Sequence, residues 1–228
     1  MSRARPEDID YQTAAAQQEE GSGCFSFIFV PLIVILVSAL LGSFAWTTNP
    51  STAVRLDSPL MTATGISPIF RAEVRHWADS ISSWAAAAGV DPNLAATVMQ
   101  IESCGDPRAT SSAGAMGLFQ VMPFHFRALE NPYDPDTNAT RGLAYLARSL
   151  SAGSGNARLA LAGYNGGIGV ISRGEWTWSA QTKRYVQYGV PIYEDARSGL
   201  SSSAALNQWY ERYGVSLCRQ ASQRLGLQ

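Results

Sequence analysis

Cys24 to Trp46 form a run of 23 residues without a single charged side chain. No other feature restricts the fold as much, because water is a poor solvent for so long an apolar segment. As an α-helix rising about 1.5 Å per residue it reaches roughly 34 Å, enough to cross a hydrocarbon core of about 30 Å. Pro31 stands near the start of the run, where a helix tolerates it better than at mid-span, and Trp46 stands where an indole favours the membrane interface. A cleaved signal peptide is the rival reading, since Ser43-Phe44-Ala45 loosely matches a small-x-small cleavage site. The run is longer than the roughly 7–15 apolar residues of a signal, and the segment before it is long and acidic. The sequence therefore favours an uncleaved single-pass anchor. Arg3 and Arg5 on one side and Arg55 on the other are too sparse to fix its orientation.

The anchor divides the chain into a polar tail (1–23), the transmembrane span (24–46), a linker (47–67) and a body (68–228). The tail sets Arg3 and Arg5 against five acidic residues, while residues 47–228 carry 15 basic and 13 acidic groups. A formal net charge of −1 over the whole chain gives no strong field, so no nucleic-acid partner is expected. Pro50, Pro59, Gly65 and Pro68 interrupt any periodicity in the linker.

Beyond the linker the patterning is helical and almost without strand alternation. Ile69, Val74, Trp77, Ile81 and Trp84 recur at spacings of three to five between Pro68 and Ala88, and Gly89 supplies a stop. Asp91-Pro92 is an N-cap followed by proline, opening a helix with Leu94, Val98 and Ile101 on one stripe. Asp134-Pro135 opens another, bearing Leu143, Leu146 and Leu150, and Asn156 caps a third that runs to Gly163. Thr182 to Tyr193 reads as a helix bent at Gly189-Val190-Pro191. The tail, from about residue 199, gives two short amphipathic pieces, one with Leu206, Trp209, Tyr210 and Tyr213, the other with Leu217, Ala221 and Leu225. The fold class is mainly α.

Glu102 ends the Asp91-Pro92 helix one step from its apolar stripe and runs into a glycine-bearing loop that stops at Met122-Pro123. Most glutamates face water. A carboxyl that donates a proton to a glycosidic oxygen near neutral pH needs its pKa raised from about 4.3 toward 6, and apolar neighbours do this by desolvation. Val98, Met99, Ile101, Met116, Leu118 and Phe119 are the neighbours in sequence.

Glu102-Ser103, Pro107, Ser111, Gly114-Ala115, Gly117-Leu118, Gln120 and Met122-Pro123 together resemble the catalytic motif of the lytic transglycosylase (SLT) domains, bacterial muramidases related in fold to goose-type lysozyme. Three further segments follow in that family's order. Asp134-Pro135 with Gly142, Tyr145 and Leu146 resembles its middle helix, Gly163-Tyr164-Asn165-Gly166-Gly167 its Ala-Tyr-Asn-Ala-Gly segment, and Thr182-Lys183-Arg184-Tyr185-Val186 its Glu-Thr-Arg-x-Tyr-Val segment. The likeness spans roughly residues 70–195. It implies a lysozyme-like helical domain outside the cytoplasmic membrane of a bacterium, acting on peptidoglycan glycan strands.

Carried over residue by residue, the resemblance makes Glu102 the general acid and then the base. Ser111 and Gln120 line the cleft, Tyr164 and Asn165 sit near Glu102 and orient it, and Tyr185 lines the far wall. Each has a plainer reading: Ser111 closes a turn, Gln120 caps a short helix, and Tyr164 is a core aromatic with a bonded hydroxyl. A two-carboxylate glycosidase needs a partner acid about 5–5.5 Å away to retain configuration or about 6.5–9.5 Å away to invert it. Besides Glu102 the matched motifs hold only Asp134, which with Asp106 and Asp136 reads as a loop or cap residue. In the resembling family the substrate's own 2-acetamido group takes the second role, and a 1,6-anhydromuramoyl end results. A hydrolytic muramidase and a non-catalytic peptidoglycan-binding or assembly module remain as alternatives. One position departs from the pattern: Gln181 stands where the family usually has glutamate.

Cys104 and Cys218, 114 residues apart, are candidates for a disulfide if the body is extracytoplasmic, with two free buried thiols as the alternative. Cys24 lacks the upstream apolar stretch of a lipoprotein site. His76 and His125 stand alone without metal-ligand spacing, so neither a metal nor a cofactor is expected. Trp176 and Trp178 either stack on sugar faces or pack the domain edge. Asn138-Ala139-Thr140 matches a glycosylation acceptor and is treated as helix surface.

Overall fold

The computed structural model describes residues 65–227. The tail, the 24–46 span and nearly all of the linker lie outside these residues. Among the described residues no helix is long and apolar enough to cross a membrane. They are mainly helical, with isolated β-bridges (Thr110 to Met116, Met116 to Val121) in place of strands.

Among the described residues eight α-helices follow in chain order: α1 Ala72–Arg75, α2 Ala78–Ala88, α3 Pro92–Glu102, α4 Pro135–Ala152, α5 Ala157–Gly166, α6 Ala180–Arg197, α7 Ala204–Trp209 and α8 Val215–Leu225. The caps read from sequence set their starts. The Asp91 carboxylate accepts from Asn93 N, Asp134 from Thr137 N, and the Asn156 side chain from Arg158 N and Leu159 N. Each removes an orphan donor at a helix N-terminus. Gly89 closes α2 in the left-handed conformation, φ 67°.

α3 is buried on every side from Leu94 to Gln100, so it is the central rod rather than an amphipathic helix with one apolar stripe. Its two polar members are satisfied internally. Thr97 Oγ1 donates to Asn93 O at 2.7 Å, and Gln100 Oε1 accepts from Arg71 N at 3.1 Å. Around it α5 packs between α4 and α6, α6 also lies on α3, and α2 covers α3 and α4. Val98, Met99, Leu118, Phe119, Leu143, Leu146, Leu161 and Ile192 are fully buried in the shared core.

Three expectations change. The 68–88 helix is broken at His76–Trp77, because the Trp77 indole turns to donate to Gly105 O at 2.9 Å in the loop after Glu102. The linker ends sooner than residue 67: Ser67 is buried, and its N–H donates to Asn93 Oδ1 at 2.7 Å. α6 is longer than the 182–193 reading and stays helical through Pro191, with Gly189 set against Leu161 of α5. After Leu200 the chain returns to the body. α7, a π-helical turn at Tyr210–Gly214, and α8 form the extension, and a disulfide joins Cys218 of α8 to Cys104, Cα to Cα 5.0 Å.

Candidate active site

Glu102 is the last residue of α3, so the rod that fills the core also aims the carboxyl at its end. Downstream, residues 103–122 fold as a braced loop. Ser103 Oγ donates to Leu118 O at 2.6 Å, and Asn138 of α4 holds the loop from the other side. The Asn138 side chain accepts from Phe119 N at 2.8 Å and donates to Met116 O and Pro132 O, both at 2.8 Å. Asn138 is fully buried, which corrects its reading as helix surface: the motif's asparagine faces the loop, not solvent. Gly117 lies against it at φ 75°, where a Cβ would come within 2.4 Å of Asn138 Nδ2. Gly142 admits Phe119 in the same way, since a Cβ there would lie 2.5 Å from Phe119 Cβ. The glycines of the motif thus give the loop a close approach to α4.

The Glu102 side chain keeps partial exposure at the mouth of a hollow, yet protein atoms crowd the carboxyl. Desolvation raises its pKa to about 8, opposed by the hydroxyl of Tyr185. The shift exceeds the value near 6 expected from sequence, and burial of the carboxyl is its cause. Burial pushes the hydroxyls of Tyr164 and Tyr185 well above the usual tyrosine range, and the nearby Glu102 carboxylate adds to it. The Tyr185 hydroxyl is buried without a hydrogen bond of full geometry, so it stands ready beside the carboxyl.

Two hollows meet at Asn165. One, about 250 Å³, is walled by Ile101, Glu102, Tyr185, Tyr188 and Trp209. The other, about 200 Å³, is walled by Gln120, Phe124, His125, Tyr145 and Tyr164. Asn165 lines both, and its Oδ1 accepts from Thr182 Oγ1 at 3.1 Å. No acidic residue other than Glu102 lines either hollow. Asp106 binds Arg108 N and faces Arg224, Asp134 caps α4, and Asp136 accepts from the Trp84 indole at 2.7 Å, so all three serve the scaffold. A roomier cavity of about 660 Å³ near Gly153 and Ile168 holds no titratable side chain and does not include Glu102.

The remaining sequence candidates fall out as follows. Gln120 lines the second hollow while its Nε2 donates to Ala109 O at 3.2 Å and Gly117 O at 3.0 Å, bracing the loop at a left-handed φ of 46°. Tyr164 lies close enough to feel the Glu102 carboxylate, and its hydroxyl donates to Phe119 O at 2.7 Å. Ser111 lines neither hollow; its Oγ accepts from Ala115 N at 3.0 Å and closes a turn. Trp178 is core, its indole donating to Val170 O at 3.0 Å, and exposed Trp176 lies outside both hollows. Gln181 lines the Glu102 hollow. Glu73 lies within 4.8 Å of Cys104 and Cys218, but the disulfide consumes both sulfurs and leaves no thiolate for a metal.

Four rings from separate segments form an aromatic ladder that includes His125. Ring centroids step 4.5 Å from Phe124 to His125, 4.8 Å to Tyr145 and 5.8 Å to Tyr164. Partial burial, with Arg148 nearby, lowers the His125 pKa, so the ring is neutral near neutral pH.

Comparison with known proteins finds one family to which part of this chain is similar. Residues 79–186 match the transglycosylase SLT domain. The likeness to the SLT family is confined to that stretch. Over 112 residues it is 40% identical to a transglycosylase of Enterobacteria phage PRD1, covering 48% of this chain and 40% of that protein. Over 86 residues it is 30% identical to the membrane-bound lytic murein transglycosylase E of Buchnera aphidicola subsp. Acyrthosiphon pisum, covering 32% of this chain and 39% of that protein. The chain thus spans about two fifths of the length of these relatives. Among solved structures it is similar to the lytic transglycosylase Slt of Pseudomonas aeruginosa, with 25% identity and TM-score 0.44 over 53% of this chain and 24% of that one. It is also similar to the 70-kDa soluble lytic transglycosylase of Escherichia coli, with 23% identity and TM-score 0.45 over 56% of this chain and 25% of that one. The SLT match takes in Glu102, both hollows' central residue Asn165, and Tyr185, but ends before the C-terminal extension.

Proposed function

We propose that this chain is a peptidoglycan lytic transglycosylase that cuts the MurNAc–GlcNAc β-1,4 bond and leaves a 1,6-anhydromuramoyl end. The observation that carries this reading is the lone carboxyl of Glu102, dehydrated to a pKa of about 8, in hollows with no second acid. The family match and the two transglycosylase relatives support it.

At neutral pH Glu102 holds its proton and donates it to the bridging oxygen as the C1–O4 bond breaks. The substrate's 2-acetamido oxygen bonds to C1 in place of a protein nucleophile. The 6-hydroxyl oxygen then attacks C1, the acetamido oxygen leaves, and the hydroxyl proton returns to Glu102. Water is not consumed. Tyr185, beside the carboxyl, stabilises its anionic phase between the two proton transfers. Asn165, at the junction of the hollows, and Gln120 are placed to bond the sugar substituents. Tyr164 and Ser111 act on the loop that frames the site rather than on the sugar.

The 24–46 run supports a single-pass membrane anchor with the SLT domain on the wall side, and one relative carries "membrane-bound" in its name. Digestion of purified peptidoglycan, with the fragments weighed, tests the reaction. Products lighter than hydrolysed muropeptides by one water are expected; hydrated ends alone would make the enzyme a hydrolase instead.

A further inference from the structure

The hollow beside Glu102 is not made by the SLT match alone. Trp209 and Tyr213, both beyond residue 186, form part of its wall. Tyr213 is 45% exposed, although the sequence places it on the same stripe as buried Trp209. The π-helical turn at Tyr210–Gly214 accounts for this, because it shifts the helical register between the two rings. Gly214 allows the arrangement, since a Cβ there would lie 2.7 Å from the Trp209 ring.

The extension is fastened in three places. The Cys104–Cys218 disulfide ties α8 to the loop two residues past Glu102, the Arg71 guanidinium stacks 4.0 Å over Tyr210, and Ser203 caps α7 and bonds Asp195 at 2.6 Å. Rigid attachment of this kind suits a recognition surface, because a ligand then orders little on binding. The surface offers an aromatic face and positive charge. Tyr213 stands edge-on to Tyr188 with centroids 5.5 Å apart, and Arg212 Nη1 donates to the Tyr188 hydroxyl at 3.4 Å. Arg184 lines the same hollow, and no carboxylate among the described residues pairs with it.

We infer that the C-terminal extension completes a substrate subsite beside Glu102, in which the exposed ring of Tyr213 carries a sugar and Arg184 pairs with a carboxylate on that sugar's peptide substituent. A pyranose presents an apolar C–H face that stacks on an aromatic ring, and a guanidinium pairs with a carboxylate through parallel hydrogen bonds. This rests on the proposed function, because it takes the glycan strand as ligand.

Binding is measured with the full chain carrying Glu102→Gln, using glycan strands that keep their stem peptides and strands stripped of them by an amidase. Peptide-bearing strands are expected to bind about tenfold more tightly, equivalent to about 1.4 kcal/mol. Arg184→Gln added to that background should remove the preference. Tyr213→Ala should weaken both kinds of strand about tenfold, and Tyr213→Phe should restore them. An unaltered preference in Arg184→Gln overturns the inference, as does Tyr213→Ala binding like its parent or a parent that binds neither strand. Equal melting midpoints for the variants separate loss of a contact from loss of the fold. The readout is binding, so cleavage by Glu102→Gln at the parent's rate would refute the acid assigned above while leaving the subsite measurement intact.

Discussion

The Tyr164 hydroxyl donates to the Phe119 carbonyl at 2.7 Å, joining α5 to the loop that frames Glu102 across 45 residues of sequence. The bond makes this tyrosine a brace for the loop. Tyr164→Phe leaves a carbonyl without its donor, at about 1–3 kcal/mol. For a domain of this size that lowers the melting midpoint by about 2–4 °C per kcal/mol. Calorimetry of the variant checks the loss, and an unchanged midpoint would separate Tyr164 from the loop.

Glu102 stores an opposition between activity and stability. Its folded pKa of about 8 lies above the ordinary 4.5, so the fold holds a proton that the unfolded chain releases. Stability from this group is full below about pH 4.5, declines as pH rises, and is lost once pH passes about 8. Glu102→Gln removes the ionisation. It should lower cleavage by about 10²–10⁴-fold, the usual contribution of a general acid, and should melt at a higher temperature than the parent at pH 8–9. The parent's activity should fall as pH rises through about 8. Thermal melts across pH check the sign; a variant less stable than the parent at pH 9 would contradict it.

Reduction should loosen the wall of the site. The Cys104–Cys218 bond closes a loop of 114 residues, and a loop of about 100 residues corresponds to about 4–5 kcal/mol in the chain-entropy view. Cys218→Ser should therefore lower the melting midpoint by several degrees and weaken strand binding together with it. Alkylation before and after reductant, weighed intact, should show two additional labelled thiols only after reduction.

Asn138 carries more of the loop than its position suggests. Asn138→Ala strands the Phe119 N–H and the Met116 and Pro132 carbonyls at once. The expected loss is about 3 kcal/mol or more, typical of a broken buried network. Asn138→Asp keeps the acceptor for Phe119 but sets a buried carboxylate oxygen against the Met116 and Pro132 carbonyls, so it should be no more stable than alanine in urea melts.

The parts legible in sequence are those set by local chemistry. Asp91-Pro92, Asp134-Pro135 and Asn156 mark helix starts because capping acts within three residues, and Glu102 is visible because a carboxylate closing an apolar helix is unusual. Asn138 was not legible, since its partners lie 6, 19 and 22 residues away and only the folded loop brings them to one side chain. The Phe124–His125–Tyr145–Tyr164 ladder draws on three separate segments, and periodicity within one segment says nothing of rings stacked between them. Tyr213 was misplaced for a different reason. A 3.6-residue period assumes an unbroken α-helix, and the turn at Tyr210–Gly214 is π-helical.

Every step above depends on the carboxyl of Glu102 keeping its proton near neutral pH. Carbon-13 labelling of glutamate, with the Glu102 resonance assigned by comparison with Glu102→Gln, allows that carboxyl to be titrated directly in the folded chain. The account predicts a midpoint near pH 8. A midpoint near the ordinary 4.5 would contradict it.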